Sequence, residues 1–203
     1  MSTVKGTTGY AAVAEQYHQT TTSLPFEVLH RDFLPFIPRN RGLLADLGAG
    51  TGRDAHALSL LGHQVLAVEP LQAFRAIGQE HYPSPQLQWV DDHLPHLEKL
   101  APYAQKIDFA LSSGVWHHLS PSAQAAALLR IHALLRPKGL LALLLRHGPA
   151  GVGTHVFDIH VQDTLDQARA IGMVPLLQLE QQPSLLPHKK AVTWSRLVLQ
   201  KQR

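Results

Sequence analysis

Short, nearly unbroken apolar runs alternate along this chain with longer stretches of helical spacing. Leu43 to Leu47 is the first such run, interrupted by Asp46 and followed by a glycine cluster; Asp54 to Leu61 then has helical character and closes at Gly62. Gln64 to Val68 reads as a second strand ending in Glu69-Pro70, and Leu71 to Glu80 as a helix stopped by the turn Tyr82-Pro83-Ser84-Pro85. Leu87 to Val90 is a third strand ending in Asp91-Asp92, and Ile107 to Ser112 a fourth, followed by Gly114-Val115-Trp116-His117-His118-Leu119. Ser120 as N-cap and Pro121 at the first helical position open a helix to Leu135, which Pro137-Lys138-Gly139 stops. Leu140 to Leu145 is the fifth strand, Val161 to Ile171 a helix stopped by Gly172, and Val174 to Leu179 with Val192 to Leu199 a closing antiparallel hairpin.

This order predicts an α/β three-layer sandwich: a mostly parallel seven-stranded sheet with helices on both faces and one antiparallel strand near the C-terminus. A chain of 203 residues suits one domain over 1–203, because single cores serve chains up to roughly 250 residues. Pro35 and Pro38 set a helical N-terminal segment, 1–38, apart from a core at 43–199.

Composition narrows the function classes. With 45% hydrophobic and 16% charged residues, neither disorder nor a fibrous repeat is expected. The net charge of +3 is scattered, with no basic run beyond Lys189-Lys190, which speaks against a nucleic-acid partner. No apolar run approaches the ~20 residues of a membrane span, and no signal-like core stands at the start. The absence of cysteine removes disulfides, thiolate zinc sites, iron–sulfur clusters and Cys nucleophiles, and accords with a cytoplasmic protein. Fourteen histidines make the net charge climb as pH falls through ~6.5.

The most specific feature is Asp46-Leu47-Gly48-Ala49-Gly50-Thr51-Gly52-Arg53-Asp54, between the first core strand and its helix. Open α/β sheets bind ligands beyond the carboxyl ends of their strands, where glycine lets the backbone approach closely. Arg53 stands where the dinucleotide fingerprint G-x-G-x-x-G needs a small residue, and the phosphate loop G-x-x-x-x-G-K-[ST] is absent. Asp46 would repel a pyrophosphate, so a ligand bearing cations suits the site better. Glu69 follows Gly52 at close to the ~20-residue spacing of a ribose-binding acid.

Asp46 to Gly52 resembles motif I of the class I S-adenosylmethionine (SAM) dependent methyltransferases, and Glu69 resembles that family's motif II acid. Asp91-Asp92-His93-Leu94-Pro95 is similar to the acid and Leu-Pro segment after strand three, Asp108 to Leu119 to the segment after strand four, and Leu134 to Gly139 to the L-x-P-G-G turn. Two departures stand out: Pro-Lys-Gly at 137–139, and an acidic pair unusually near Leu94-Pro95, which leaves open which aspartate meets the adenine. Gly52-Arg53-Asp54-Ala55 and Arg146-His147-Gly148-Pro149 resemble small bacterial members.

The resemblance implies a Rossmann-like fold, SAM as cofactor with S-adenosylhomocysteine as product, and cofactor binding by Asp46, Gly48, Ala49, Gly50, Gly52, Asp54, Glu69, Pro70, Asp91, Asp92, His93 and Ser113. Tyr17, with Tyr10, Phe26 and His30, falls on an N-terminal segment that in this family often folds over the cofactor. Trp116, His117 and His118 lie where the acceptor approaches: Trp116 as a substrate contact, and either imidazole, His117 slightly preferred, as a base. Arg146 offers a guanidinium fork for an acceptor carboxylate or phosphate. No metal site is expected, since His117-His118 lacks i, i+4 pairing, and Ser112-Ser113-Gly114 is no nucleophile elbow.

These readings expect methyl transfer to O, N or S of a small-molecule acceptor by a monomer or homodimer without a membrane partner. An RNA or protein methyltransferase and a non-catalytic SAM-binding sensor or scaffold stand as the alternatives.

Overall fold

The computed structural model describes residues 4–186 and 189–203. Strands β1 (Leu43–Leu47), β2 (Gln64–Val68), β3 (Leu87–Val90), β4 (Ile107–Ser113), β5 (Leu135–His147), β6 (Met173–Pro183) and β7 (Thr193–Lys201) form one sheet in the order β3-β2-β1-β4-β5-β7-β6. The first five run parallel, and β7 lies antiparallel between β5 and β6. Leu44 to Leu47 and Leu141 to Leu145 are buried without interruption, as strands covered on both faces must be.

The α-helices among the described residues are α1 (Ala14–Thr22), α2 (Phe26–Leu29), α3 (Arg53–Leu60), α4 (Gln72–His81), α5 (Pro121–Leu134) and α6 (Val161–Ala170). One apolar cluster lies under α5 and α6, joining Leu128, Ile131 and Leu165 to Leu141, Leu143 and Leu145. A second lies under α3 and the N-terminal segment, where Leu58, Phe26 and Phe33 meet Leu44, Phe109 and Leu144. The two sets of β5 side chains alternate between the faces, as strand geometry requires. The N-terminal segment is also tied to β7 by an ion pair between Asp32 and the buried Arg196, 3.3 Å apart.

Several boundaries differ from expectation. Helix α5 has its predicted Ser120 cap, with the Ala123 N–H donating to Ser120 Oγ at 3.3 Å, but it ends at Leu134 and passes directly into β5. Ile107 pairs with Leu135 and Phe109 with Leu140, so Arg136 to Gly139 form a bulge inside the strand rather than a turn before it. The described part of the N-terminal segment is broken into α1, α2 and short 3-10 turns.

The strand order reverses between β1 and β4, and the chain leaves both at the same end of the sheet. Such a switch point opens a crevice above the strand ends. The glycine loop after β1 and the Gly114 to His118 segment after β4 both lie there.

Candidate functional site

The loop from Gly48 to Gly52 folds back over the end of β2, with the Gly48 and Ala49 N–H groups donating to Val68 O at 2.8 and 2.9 Å. Its glycines are needed for different reasons. A Cβ on Gly48 would stand 2.4 Å from Val115 Cγ2, and one on Gly52 2.7 Å from the Trp89 ring. Gly50 has room around it but a left-handed φ of 57°. Its N–H points at Glu69 and donates to Oε2 at 2.9 Å, while Glu69 Oε1 accepts from the Leu71 N–H at 2.8 Å. Burial pushes the Glu69 carboxyl up to about 7 against the opposing pull of these two donors and Arg75.

Asp46, at the end of β1, is fully buried, and its Oδ2 has no hydrogen-bond partner among the described residues. Burial, reinforced by the nearby Asp54, pushes its carboxyl well above the ordinary range. Asp54 in the first turn of α3 is the opposite case. Burial alone would raise it, but His30 Nε2 at 2.8 Å and Arg53 Nε at 2.6 Å hold it ionised. Arg53 also donates to Thr21 O at 2.9 Å and Leu24 O at 3.3 Å, which binds the α1–α2 corner to the glycine loop.

Two cavities meet over this loop. The larger, about 580 Å³, is lined by Asp46, Asp54, Ala49, His117 and Arg146 among others. The smaller, about 110 Å³, is lined by Glu69, Pro70, Phe74, His93, Leu94, His118 and Leu119. Tyr10, Tyr17, Gly48, Gly50, Ser113 and Gly114 face both. Tyr17 stacks on Phe74 of α4, with centroids 4.9 Å apart, so α1 covers the junction.

A single 3-10 turn at Trp116–His118 sends its three side chains in different directions. His117 borders the larger cavity and His118 the smaller. His118 Nδ1 lies 2.8 Å from His155 O, and a carbonyl only accepts, so Nδ1 carries the proton and Nε2 accepts from the Tyr10 hydroxyl at 3.0 Å. Both its nitrogens are therefore engaged. His117 Nδ1 has no partner among the described residues; burial, His118 and Arg146 push this imidazole down to about 3.

Some expected site residues lie elsewhere. Trp116 packs into the apolar cluster under α5 and borders neither cavity, because the tight turn rotates it away from its two neighbours. Gly52 borders neither and serves packing against Trp89. Asp91 is exposed and bonded to Arg75 at 3.0 Å. Asp92 spends both oxygens inside its own loop, on the His93 N–H at 2.8 Å and the Lys99 N–H at 2.7 Å. Of that acidic segment, His93 and Leu94 reach the smaller cavity.

The structure adds residues that sequence reasoning passed over: Phe74 against Tyr17, and Lys189 and Trp194 in the larger cavity. Trp194 sits directly across from Arg146 in the β5–β7 ladder. Hairpin pairing of the last two strands could have placed it at the active end; nothing local marks Phe74 or Lys189.

The residues present fit SAM. A buried carboxyl oxygen without a partner at the larger cavity suits a ligand ammonium, and the Glu69 oxygens, each holding one N–H, retain lone pairs for a diol. Pro70, Leu94 and Leu119 give the smaller cavity apolar walls for a flat heteroaromatic ring.

Residues 45–143 match the family described as a methyltransferase domain. An uncharacterized methyltransferase of Alkaliphilus oremlandii is 26% identical over 134 residues, 66% of this chain and 56% of that protein, so the chain spans little more than half the length of this curated relative. Among solved structures, a 1,6-didemethyltoxoflavin-N1-methyltransferase of Burkholderia thailandensis, with its namesake ligand and S-adenosylhomocysteine bound, superposes with a TM-score of 0.74 at 20% identity, covering 96% of this chain and 86% of that one. A TehB-like SAM-dependent methyltransferase of Corynebacterium glutamicum gives 0.69 at 21% identity, covering 94% and 99%. Residues 45–143 thus match a methyltransferase domain, and they are set in a fold that this chain shares with solved SAM-dependent methyltransferases.

Proposed function

We propose that this protein transfers the methyl group of SAM to a nucleophilic O, N or S atom of a small-molecule acceptor in the cytoplasm, releasing S-adenosylhomocysteine. One observation carries the reading: two cavities meet at Gly48, Gly50 and Ser113, one lined by Glu69 and the other by Asp46, whose Oδ2 has no partner among the described residues. The smaller is read as the adenosine end and the larger as the acceptor chamber. Its volume of about 580 Å³ lies within the ~300–1,000 Å³ range of small-molecule sites. The 1,6-didemethyltoxoflavin-N1-methyltransferase of similar fold holds 1,6-didemethyltoxoflavin beside S-adenosylhomocysteine, which accords with that reading.

When bound, SAM supplies a methyl group already activated on a sulfonium. The chain's own residues bind, align and keep out water. Asp46 and Glu69 would hold the cofactor, and the Tyr17–Phe74 stack covers the junction from the N-terminal segment. His117 stays unprotonated at neutral pH and offers a hydrogen-bond acceptor to the chamber, but at about 3 it is too weak a base to carry the proton away. The acceptor's proton leaves through solvent or before binding.

Calorimetric titration with SAM, S-adenosylhomocysteine and NAD tests the reading without an acceptor. Micromolar binding of the first two alone is expected, with Asp46→Ala and Glu69→Ala each weakening it by about tenfold or more, the value of a charge-assisted hydrogen bond. Binding of NAD alone, or unchanged affinity in both variants, overturns it.

A further inference from the structure

We propose that the larger cavity takes an acceptor with a flat apolar body and one anionic group, a carboxylate or phosphate, gripped by Arg146 and Lys189 beside Trp194. The inference rests on the reading of this cavity as the acceptor chamber.

The charges around the cavity do not balance locally. Its lining includes the acids Asp46 and Asp54 and the cations Arg53, Arg146 and Lys189. Arg53 and Asp54 neutralise each other at 2.6 Å, and the Asp46 carboxyl is assigned above to the cofactor. Arg146 and Lys189 remain at the β5–β7 end, and neither belongs to an ion pair among the described residues. Both are half-buried, and each is pushed down from its ordinary basicity by burial, Lys189 also by Arg146. Two cations sharing a partly dry chamber repel each other, and an anion between them would relieve that repulsion.

Arg146 is also already aimed. Nη2 donates to Pro149 O at 2.7 Å and Nη1 to Gly148 O at 3.4 Å, which leaves the rest of its five N–H donors for a ligand. A guanidinium held in this way loses little conformational entropy when an oxyanion docks. Around it the wall is apolar: Trp194 lies directly opposite in the ladder, with Leu144, Val192 and Leu186 completing that side. An acceptor anchored there would extend its other end past His117 of the same cavity toward Ser113, where the two cavities meet.

The test uses benzoate, phenyl phosphate and the neutral benzamide as probes, titrated with and without saturating S-adenosylhomocysteine. Binding is read from the Trp194 indole N–H resonance, assigned by its loss in Trp194→Phe. At least one anionic probe should bind about tenfold or more tighter than benzamide, and Arg146→Gln and Lys189→Gln should each remove about tenfold while cofactor-product affinity is unchanged; Arg146→Lys should recover part of the loss. The tighter of benzoate and phenyl phosphate identifies the anion. Equal affinity for benzamide, no binding of either anion, or anion binding indifferent to both substitutions overturns the proposal. Failure of S-adenosylhomocysteine to bind counts instead against the methyltransferase reading, and the titrations without it keep the two failures apart.

Discussion

His30 Nε2 lies 2.8 Å from Asp54 Oδ2, with the imidazole wholly buried and the carboxylate nearly so. This contact joins the N-terminal segment to the helix that follows the glycine loop. With the Arg53 bonds to Thr21 O and Leu24 O, it makes the covering segment and the cofactor loop one mechanical unit.

Removing that contact should therefore be felt in stability. His30→Ala leaves Asp54 short of a charge-assisted donor, costing about 2 kcal/mol, and should lower the thermal midpoint by about 4–8 °C for a chain of this size. Since Asp54 is held below the ordinary carboxylate range, its contribution is full above that range and lost as pH falls through and below it. The difference between wild type and His30→Ala should accordingly shrink in strong acid, as measured by urea unfolding.

Glu69 works in the other direction. Pushed up to about 7 by burial, it is partly protonated at neutral pH, and an ionised carboxylate accepts ligand hydroxyls better. Cofactor affinity should fall as pH drops through 7, and Glu69→Gln should flatten that dependence in calorimetry. For folding the sign reverses: between the ordinary carboxylate pKa and 7 the native state holds the proton and the unfolded state does not, so this group's contribution to stability declines as pH rises.

His117, pushed down to about 3, should leave no inflection of its own in kcat/KM between pH about 5 and 8. The unfolded chain protonates this imidazole near ~6.5 while the native state refuses the proton, so stability drops as pH falls below ~6.5. His117→Asn should make that decline shallower by about one proton's slope. An inflection near neutrality that vanishes in His117→Asn would establish it as a base instead.

At Gly52 the expectation concerns packing. A Cβ there would meet Trp89 at 2.7 Å on a backbone with φ of 93°, so Gly52→Ala should cost about 1–3 kcal/mol in urea unfolding. Shrinking the obstacle with Trp89→Leu should recover part of that loss, and the double-mutant cycle should show coupling.

Phe74 illustrates what escaped the linear reading, and Glu69 what did not. Glu69 could be found because its role follows from position: an acid at the end of the second strand of a parallel unit stands above the switch point whatever surrounds it. The same logic located Asp46 and the left-handed glycines. Phe74, Trp194 and Lys189 carry no local signature; each matters because a distant segment, α1 for the first and the β5 end for the others, arrives beside it. Asp91 and Asp92 show the converse, since a plausible pair of acids is consumed by Arg75 and by its own loop's N–H groups.

Element order, sheet type and the glycine–acid frame of the site were thus determined by the sequence itself, because periodicity, backbone φ and strand-end position are local properties. The tertiary structure alone decided that Asp54 is paired with His30 and Arg53 while Asp46 Oδ2 has no partner among the described residues, that His118 is bound to Tyr10 while His117 Nδ1 has none among them, and that Arg146 and Lys189 share one chamber. Pairing and desolvation depend on what approaches from elsewhere in the chain, and they set whether a charged or polar group is spent on the fold or left for a ligand.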